Sequence, residues 1–306
     1  MKPGRTLLLT CNLALIAVPA SAEPLPTAAR SESQTHSIDF AFAPPIGSVL
    51  RYEQTRTSTL DERTTGAKLT YDYRFERREG GYLVWVELTE IEGLGAEQRA
   101  RLAETVAAPM LDIRYAIELS PNGEPLSIRN EEAVWAATLD GFALIEAEMR
   151  SRPDIGEDER TQMLNLLAAM QVQEGAARRQ GMLIVIADIL TLSGRSIAMG
   201  DNPHSGDIAS PLGGTVRLDG MISAELTGED IGLVEITGTA NTAEQFAVSE
   251  RLLYRAAPSS GLVHQMDRSR AFEAPADSGA PSYSETVAIR LIEEIPAGNR
   301  IVPRLN

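Results

Sequence analysis

The sequence predicts an α+β protein: a large curved antiparallel sheet of about 8–10 strands with a central block of helices packed on one face. Three observations predict it. Residues 46–128 and 214–294 alternate apolar and polar side chains with a period of two, residues 130–194 repeat near 3.6, and the order is strands, helices, strands. Open sheets of that size seldom stay flat, so the strands are expected to curl around the helices.

Residues 1–22 carry the marks of a signal peptide. Lys2 and Arg5 precede an apolar run from Leu7 to Val18, and Ala20-Ser21-Ala22 supplies small residues at a cleavage site. The run is too short for a membrane span, which needs roughly 20 residues. Cys11, after Leu8, Leu9 and Thr10, would be the lipidated residue of a lipoprotein, but Thr10 is bulkier than the usual neighbour. The expected location is therefore the bacterial periplasm, with no transmembrane segment in the mature chain.

Cleavage would remove the only cysteine and two cations, leaving 26 basic residues against 43 acidic ones, a formal charge of −17. A thiol-free chain has no disulfide, zinc-thiolate site or cysteine nucleophile. One this acidic repels phosphate backbones, so nucleic acid is not expected as a partner. Residues 23–45, rich in Pro, Ala, Ser and Thr, are expected to form a flexible leader. A single α+β domain then spans 46–295, with its helical block at 130–194 and a tail at 296–306.

The first strands form a meander: "SVLRYEQTRTSTL", "KLTYDYRFE" and "GYLVWVELTEIE". In the second, Leu69, Tyr71, Tyr73 and Phe75 share one face. "YAIELSPNGEPLSIRN", residues 115–130, folds back as a hairpin in which Pro121 presets φ and Gly123 supplies a positive φ. A short helix fits 95–109. A longer one fits 130–152, with Asn130 as N-cap and a buried stripe of Val134, Trp135, Thr138, Phe142, Ile145 and Met149. Two more fit 156–172 and 174–194, the latter interrupted near Gly181 and ended by Gly194. Strands follow at 214–226, 231–249, 250–257, 261–273 and 282–294, after a polar loop at 199–214.

Catalytic patterns are scarce. Gly-x-Ser-x-Gly, Ser-x-x-Lys, His-x-x-x-His and glycine-rich phosphate loops are absent, so no catalytic residue and no cofactor is expected. His36 lies in the leader, and His264 sits at strand spacing with Leu262 and Met266, where a half-buried or rim histidine is expected rather than a base. Asp201, His204 and Asp207, with Asn202 and Ser205, offer weak candidate metal ligands without the order of a calcium loop. "GMLIVIADILTL", residues 181–192, is the most apolar segment. Met182, Leu183, Ile184, Ile186 and Ile189 would line an apolar ligand groove, or else form a buried core helix.

The order of leader, "PPIGSVLRYEQ", meander, helices and terminal strands, with "LSPNGEPLSI" in the hairpin, resembles exported bacterial proteins and more distantly the lipoprotein-carrier half-barrel superfamily. That resemblance implies a curved antiparallel sheet holding acyl chains against helices. The extensive helical block between the two strand groups departs from the family pattern, and no functional residue carries over. The expected function is a non-enzymatic periplasmic carrier or binding protein for an apolar, lipid-like ligand. The alternatives are an envelope structural or interaction protein with a filled core, and a hydrolase using His264 or the 201–207 loop.

Overall fold

The structure, a computed structural model, describes residues 36–60, 63–95, 104, 107–111, 113–151, 156–172, 174–210, 214–228, 230–242, 245–276, 278, 280 and 282–297. The signal peptide expected at 1–22 and most of the leader lie outside these residues. Ser37–Phe40 forms β1, followed by the long strands Val49–Leu60 (β2), Arg63–Arg78 (β3) and Gly81–Gly95 (β4) and the shorter Arg114–Leu119 (β5) and Pro125–Ile128 (β6). Three helices intervene: Glu131–Ser151 (α1), Glu157–Gln171 (α2) and Gly175–Leu190 (α3). The chain then returns to strands: Arg195–Ala198 (β7), Gly200–Ala209 (β8), Thr215–Leu226 (β9), Gly232–Asn241 (β10), Ala247–Ala256 (β11), Val263–Glu273 (β12) and Tyr283–Ile295 (β13).

Eleven strands make one antiparallel sheet in the order β6-β5-β4-β3-β2-β13-β12-β11-β10-β9-β8. Each meander is local, and one non-local pairing joins them: β13 returns beside β2, with Leu291 opposite Tyr52 and Val287 opposite Arg56. β1 and β7 form a separate two-stranded ribbon. Strand predominates and helices are few. Among the described residues no helix is long and apolar enough to cross a membrane.

Several expectations change here. Residues 36–45, expected as leader, begin with β1, and Ile38, Phe40 and Phe42 are buried. Their alternation with Asp39, Ala41 and Ala43 drives them into the core. The loop expected at 199–214 is mostly edge strand β8, because an edge strand needs hydrogen-bond partners on one side only and so tolerates Pro203. The break expected near 249–250 falls at 242–246. α3 runs through Gly181 without interruption. The helix expected at 95–109 lies largely outside the described residues; Ala108–Met110 forms a 3-10 turn.

The hairpin of β5 and β6 is scaffold. Ser120 Oγ accepts hydrogen bonds from the Asn122 and Glu124 amides, and Gly123 has φ +87° with Phe42 and Ser193 packed where a Cβ would stand. Asn130 stands at the N-cap of α1, where its carbonyl accepts from the Ala133 and Val134 amides, while its side chain turns to β5. Its Oδ1 accepts from the Ala116 amide, and its Nδ2 donates to the Arg114 carbonyl, tying α1 to β5. Along α1, Val134, Phe142, Ile145 and Met149 are buried as the helical spacing requires, while Trp135 and Thr138 are half-buried.

α3 supplies Met182, Ile186, Ile189 and Leu190 to the main core, which also contains Tyr52, Tyr73, Val86, Tyr115 and Ile289 from the sheet. Tyr73 Oη donates to the Val185 carbonyl at 2.6 Å. At the far end of the strands Leu60, Leu218, Val248, Phe272 and Tyr283 form a second, separate cluster.

Candidate functional site: a charged belt across the covered face

Between the two apolar clusters the same face of the sheet is charged. Strand parity fixes this. Arg268 and Arg270 lie between Met266 and Phe272 on β12, Glu285 lies between Tyr283 and Val287 on β13, and Glu250 lies between Val248 and Leu252 on β11. Since side chains alternate strictly, residues flanked at i±2 by buried apolar groups share their face. Arg56 joins them from β2, opposite Val287, whose other neighbour is Arg268. Arg270 pairs with Glu285 across one ladder and with Glu250 across the other.

These charges are deeply placed. Glu285 is 3 % exposed and Arg270 9 %, and the Arg268 side chain is 10 % exposed. Arg56 Nε donates to Glu285 Oε1 at 2.6 Å, and a second guanidinium nitrogen reaches the same oxygen. Arg268 Nη2 lies 3.6 Å from Glu285 Oε2. Arg270 donates to Glu250 Oε1 through Nε at 2.9 Å and Nη2 at 2.5 Å. Burial pushes the Glu285 carboxyl up, but Arg56, Arg268 and Arg270 together more than reverse this and hold it below the usual carboxylate range.

One acidic group faces the belt from the helix. Asp188 is the only acid of α3. Burial raises its carboxyl above the ordinary value, against the pull of Arg268 and Arg56 and with a further push from Glu285. Burial drives the Tyr73 phenol well above its usual pKa and raises those of Tyr115 and Tyr254 as well, so all three remain neutral.

The residues singled out in the sequence divide between these environments. Met182, Ile186 and Ile189 are buried against the sheet, while Leu183 and Ile184 are half-buried. Asp201 and Asp207 share one face of β8 and His204 takes the other, because a strand turns odd and even positions apart. Asp207 instead lies 3.8 Å from Arg217. Among the described residues no three His, Cys, Asp or Glu groups converge as a metal site requires. His36 is exposed at the start of the described residues.

His264 departs from its expected face. A β-bulge where Ala256 pairs with Val263 and Arg255 with Gln265 turns it outward, away from Val263 and Met266. Partial burial lowers its pKa, against the attraction of Glu294. Among the described residues no serine or threonine is hydrogen-bonded to it. A separate cleft of ≈ 520 Å³ is lined by Lys68, Thr70, Glu90, Glu92, Glu104 and Leu111 among others. Lys68 and Thr70 have the parity opposite to Tyr71 and Tyr73, so this cleft lies off the helix-covered face.

No family model and no curated protein matches the chain.

Proposed function

We propose that the protein is an exported, non-enzymatic carrier that holds an apolar, lipid-like molecule between α3 and the inner face of a curled half-barrel sheet, and that it works in the periplasm. The observation that carries this reading is how α3 is seated. Its contact with the sheet is an apolar stripe of Met182, Ile186, Ile189 and Leu190, held by a hydrogen bond from the buried Tyr73 to the Val185 carbonyl, with the buried Tyr254 phenol beside Thr191.

Those two contacts also bear on curvature. Tyr73 and Tyr254 stand on β3 and β11, four interstrand steps apart, about 19 Å across a flat sheet at about 4.8 Å per step. Val185 and Thr191 are only about 9 Å apart along a helix rising about 1.5 Å per residue. Two phenols that start so far apart and converge so closely support a sheet bent towards the helix, as the resemblance to lipoprotein carriers implies. Displacing α3 would exchange its apolar stripe for acyl chains at little cost in exposed hydrophobic area, which suits reversible uptake.

The second reading is an envelope interaction protein with a filled core. Full burial of Ile186 and Ile189 favours it, as do the exposed Met221, Leu226 and Ile231 on β9 and the turn after it. Native mass spectrometry of the purified chain, followed by solvent extraction, separates the two. A reproducible lipid adduct supports the carrier. A clean apo mass that persists after incubation with envelope lipids overturns it.

A further inference from the structure

The belt contains a buried donor with nothing to bond. Arg268 Nε meets no acceptor, although nine-tenths of its side chain is out of solvent. A guanidinium N–H withdrawn from water without an acceptor is costly, so few are left so. The neighbouring carboxylates do not supply the missing partner. Glu285 receives the Arg56 guanidinium at 2.6 Å and stands 3.6 Å from Arg268 at a different nitrogen. Glu250 is held by Arg270. Asp188 is near enough for Arg268 and Arg56 to pull on its proton affinity, yet it does not reach Arg268 Nε.

Charge tells the same story. Arg56, Arg268 and Arg270 bring three positive charges to the belt, and Glu285 and Glu250 offset two. Asp188, half-buried on the helix side of the belt, is left to balance the third without meeting Arg268 Nε. Next along the same face from Arg268 come Val287 and Met266, then Ile289, which continue into the apolar surface beneath α3. A charged end and an apolar end are therefore contiguous on one surface.

The geometry points to a headgroup subsite: Arg268, with Arg56 beside it, receives the anionic phosphate of a lipid whose acyl chains lie along the apolar face under α3. The inference rests on the carrier reading and names the ligand class that site selects. Arginine suits the role because its planar fork stays charged and matches phosphate oxygens. Asp188 occupies the helix side of the same belt and competes for the arginines until phosphate arrives.

The test uses the full chain and four probes: phosphatidylglycerol, phosphatidylcholine, diacylglycerol and inorganic phosphate, each titrated by native mass spectrometry. The wild type is expected to prefer phosphatidylglycerol at least tenfold over the other two lipids. Arg268→Gln is expected to abolish that preference while leaving diacylglycerol binding unchanged. Asp188→Asn, which removes the competing carboxylate, is expected to tighten phosphatidylglycerol severalfold. The exposed Arg251→Gln on β11 controls for loss of one positive charge, and circular dichroism checks that each variant is folded. If Arg268→Gln fails to fold, the opposite shift in Asp188→Asn decides alone. Equal binding of all three lipids, unmoved by either substitution, overturns the headgroup subsite and leaves the carrier standing. Binding of inorganic phosphate as tight as the lipid makes this a free-anion site and overturns the inference too. Failure of every lipid to bind refutes the carrier reading itself.

Discussion

Replacing Glu285 with glutamine removes the carboxylate that forms ion pairs with both Arg56 and Arg268 while keeping its shape. Glu285 is almost wholly buried, and both arginines are 15 % exposed or less. Breaking a buried pair by deleting one partner costs about 3–5 kcal/mol, because the remaining charge keeps its desolvation penalty. The amide oxygen can still accept from Arg56, so the lower end applies: about 3 kcal/mol, or a melting temperature lower by about 6–12 °C at the usual about 2–4 °C per kcal/mol. The pH dependence gives an independent check. A carboxyl whose folded pKa is depressed contributes stability that is present above its unfolded value and lost as pH falls through the folded value. The gap between wild type and Glu285→Gln should therefore be full at neutral pH and shrink in acid. Urea unfolding across that range measures it. A neutral-pH loss under about 1 kcal/mol, the scale of a surface ion pair, would refute the picture of a desolvated belt.

Four further outcomes are expected. Asp188→Asn should stabilise the chain at neutral pH, since a carboxyl with a raised folded pKa adds stability only below its unfolded value and loses it as pH rises through the folded one; urea midpoints in acid and at neutrality read the difference. Tyr73→Phe should weaken the seat of α3 by about 1 kcal/mol, speeding hydrogen exchange across 182–190 by roughly fivefold without changing β3, because the Val185 carbonyl loses only its tyrosine donor. Ile186→Ala, at a fully buried position, should cost about 3 kcal/mol in chemical denaturation. Gly123→Ala should cost about 2 kcal/mol, as its φ of +87° disfavours a Cβ and Phe42 stands 2.9 Å from where that atom would sit.

The strands most legible in the sequence are those with one buried face. "KLTYDYRFE" announces β3 because every second residue is apolar. "SIDFAF" carries the same signal for β1, but a four-residue strand beside Pro and Ala is easily outweighed by composition. β8 hides because an edge strand buries little: only Ile208 of its ten residues is buried, so its Gly, Asp and Pro resemble a loop. Helices α1, α2 and α3 follow from the 3.6 period, but α3 ends at Leu190 with Thr191 as its C-cap, ahead of the expected stop at Gly194, whose φ of +70° serves the turn into β7.

The belt was within reach of the same reasoning. Arg268 and Arg270 share parity with Met266 and Phe272, and Glu285 with Tyr283 and Val287, so each had to face inward. Charge argues for the solvent face, and strand parity overrules it. What periodicity cannot reveal is the pairing of β13 with β2, which brings Arg56 to Glu285 across 229 residues of chain. His264 fails for a related reason, since a bulge shifts parity by one and leaves no mark in composition.

The most direct test of the carrier account is hydrogen exchange on the chain with and without phosphatidylglycerol. The account predicts altered protection on α3 at 175–190 and on the inner strands β2, β12 and β13, with β8 unchanged. Identical exchange at α3 in the presence of saturating lipid, or changes confined to the exposed turn between β9 and β10, would contradict it.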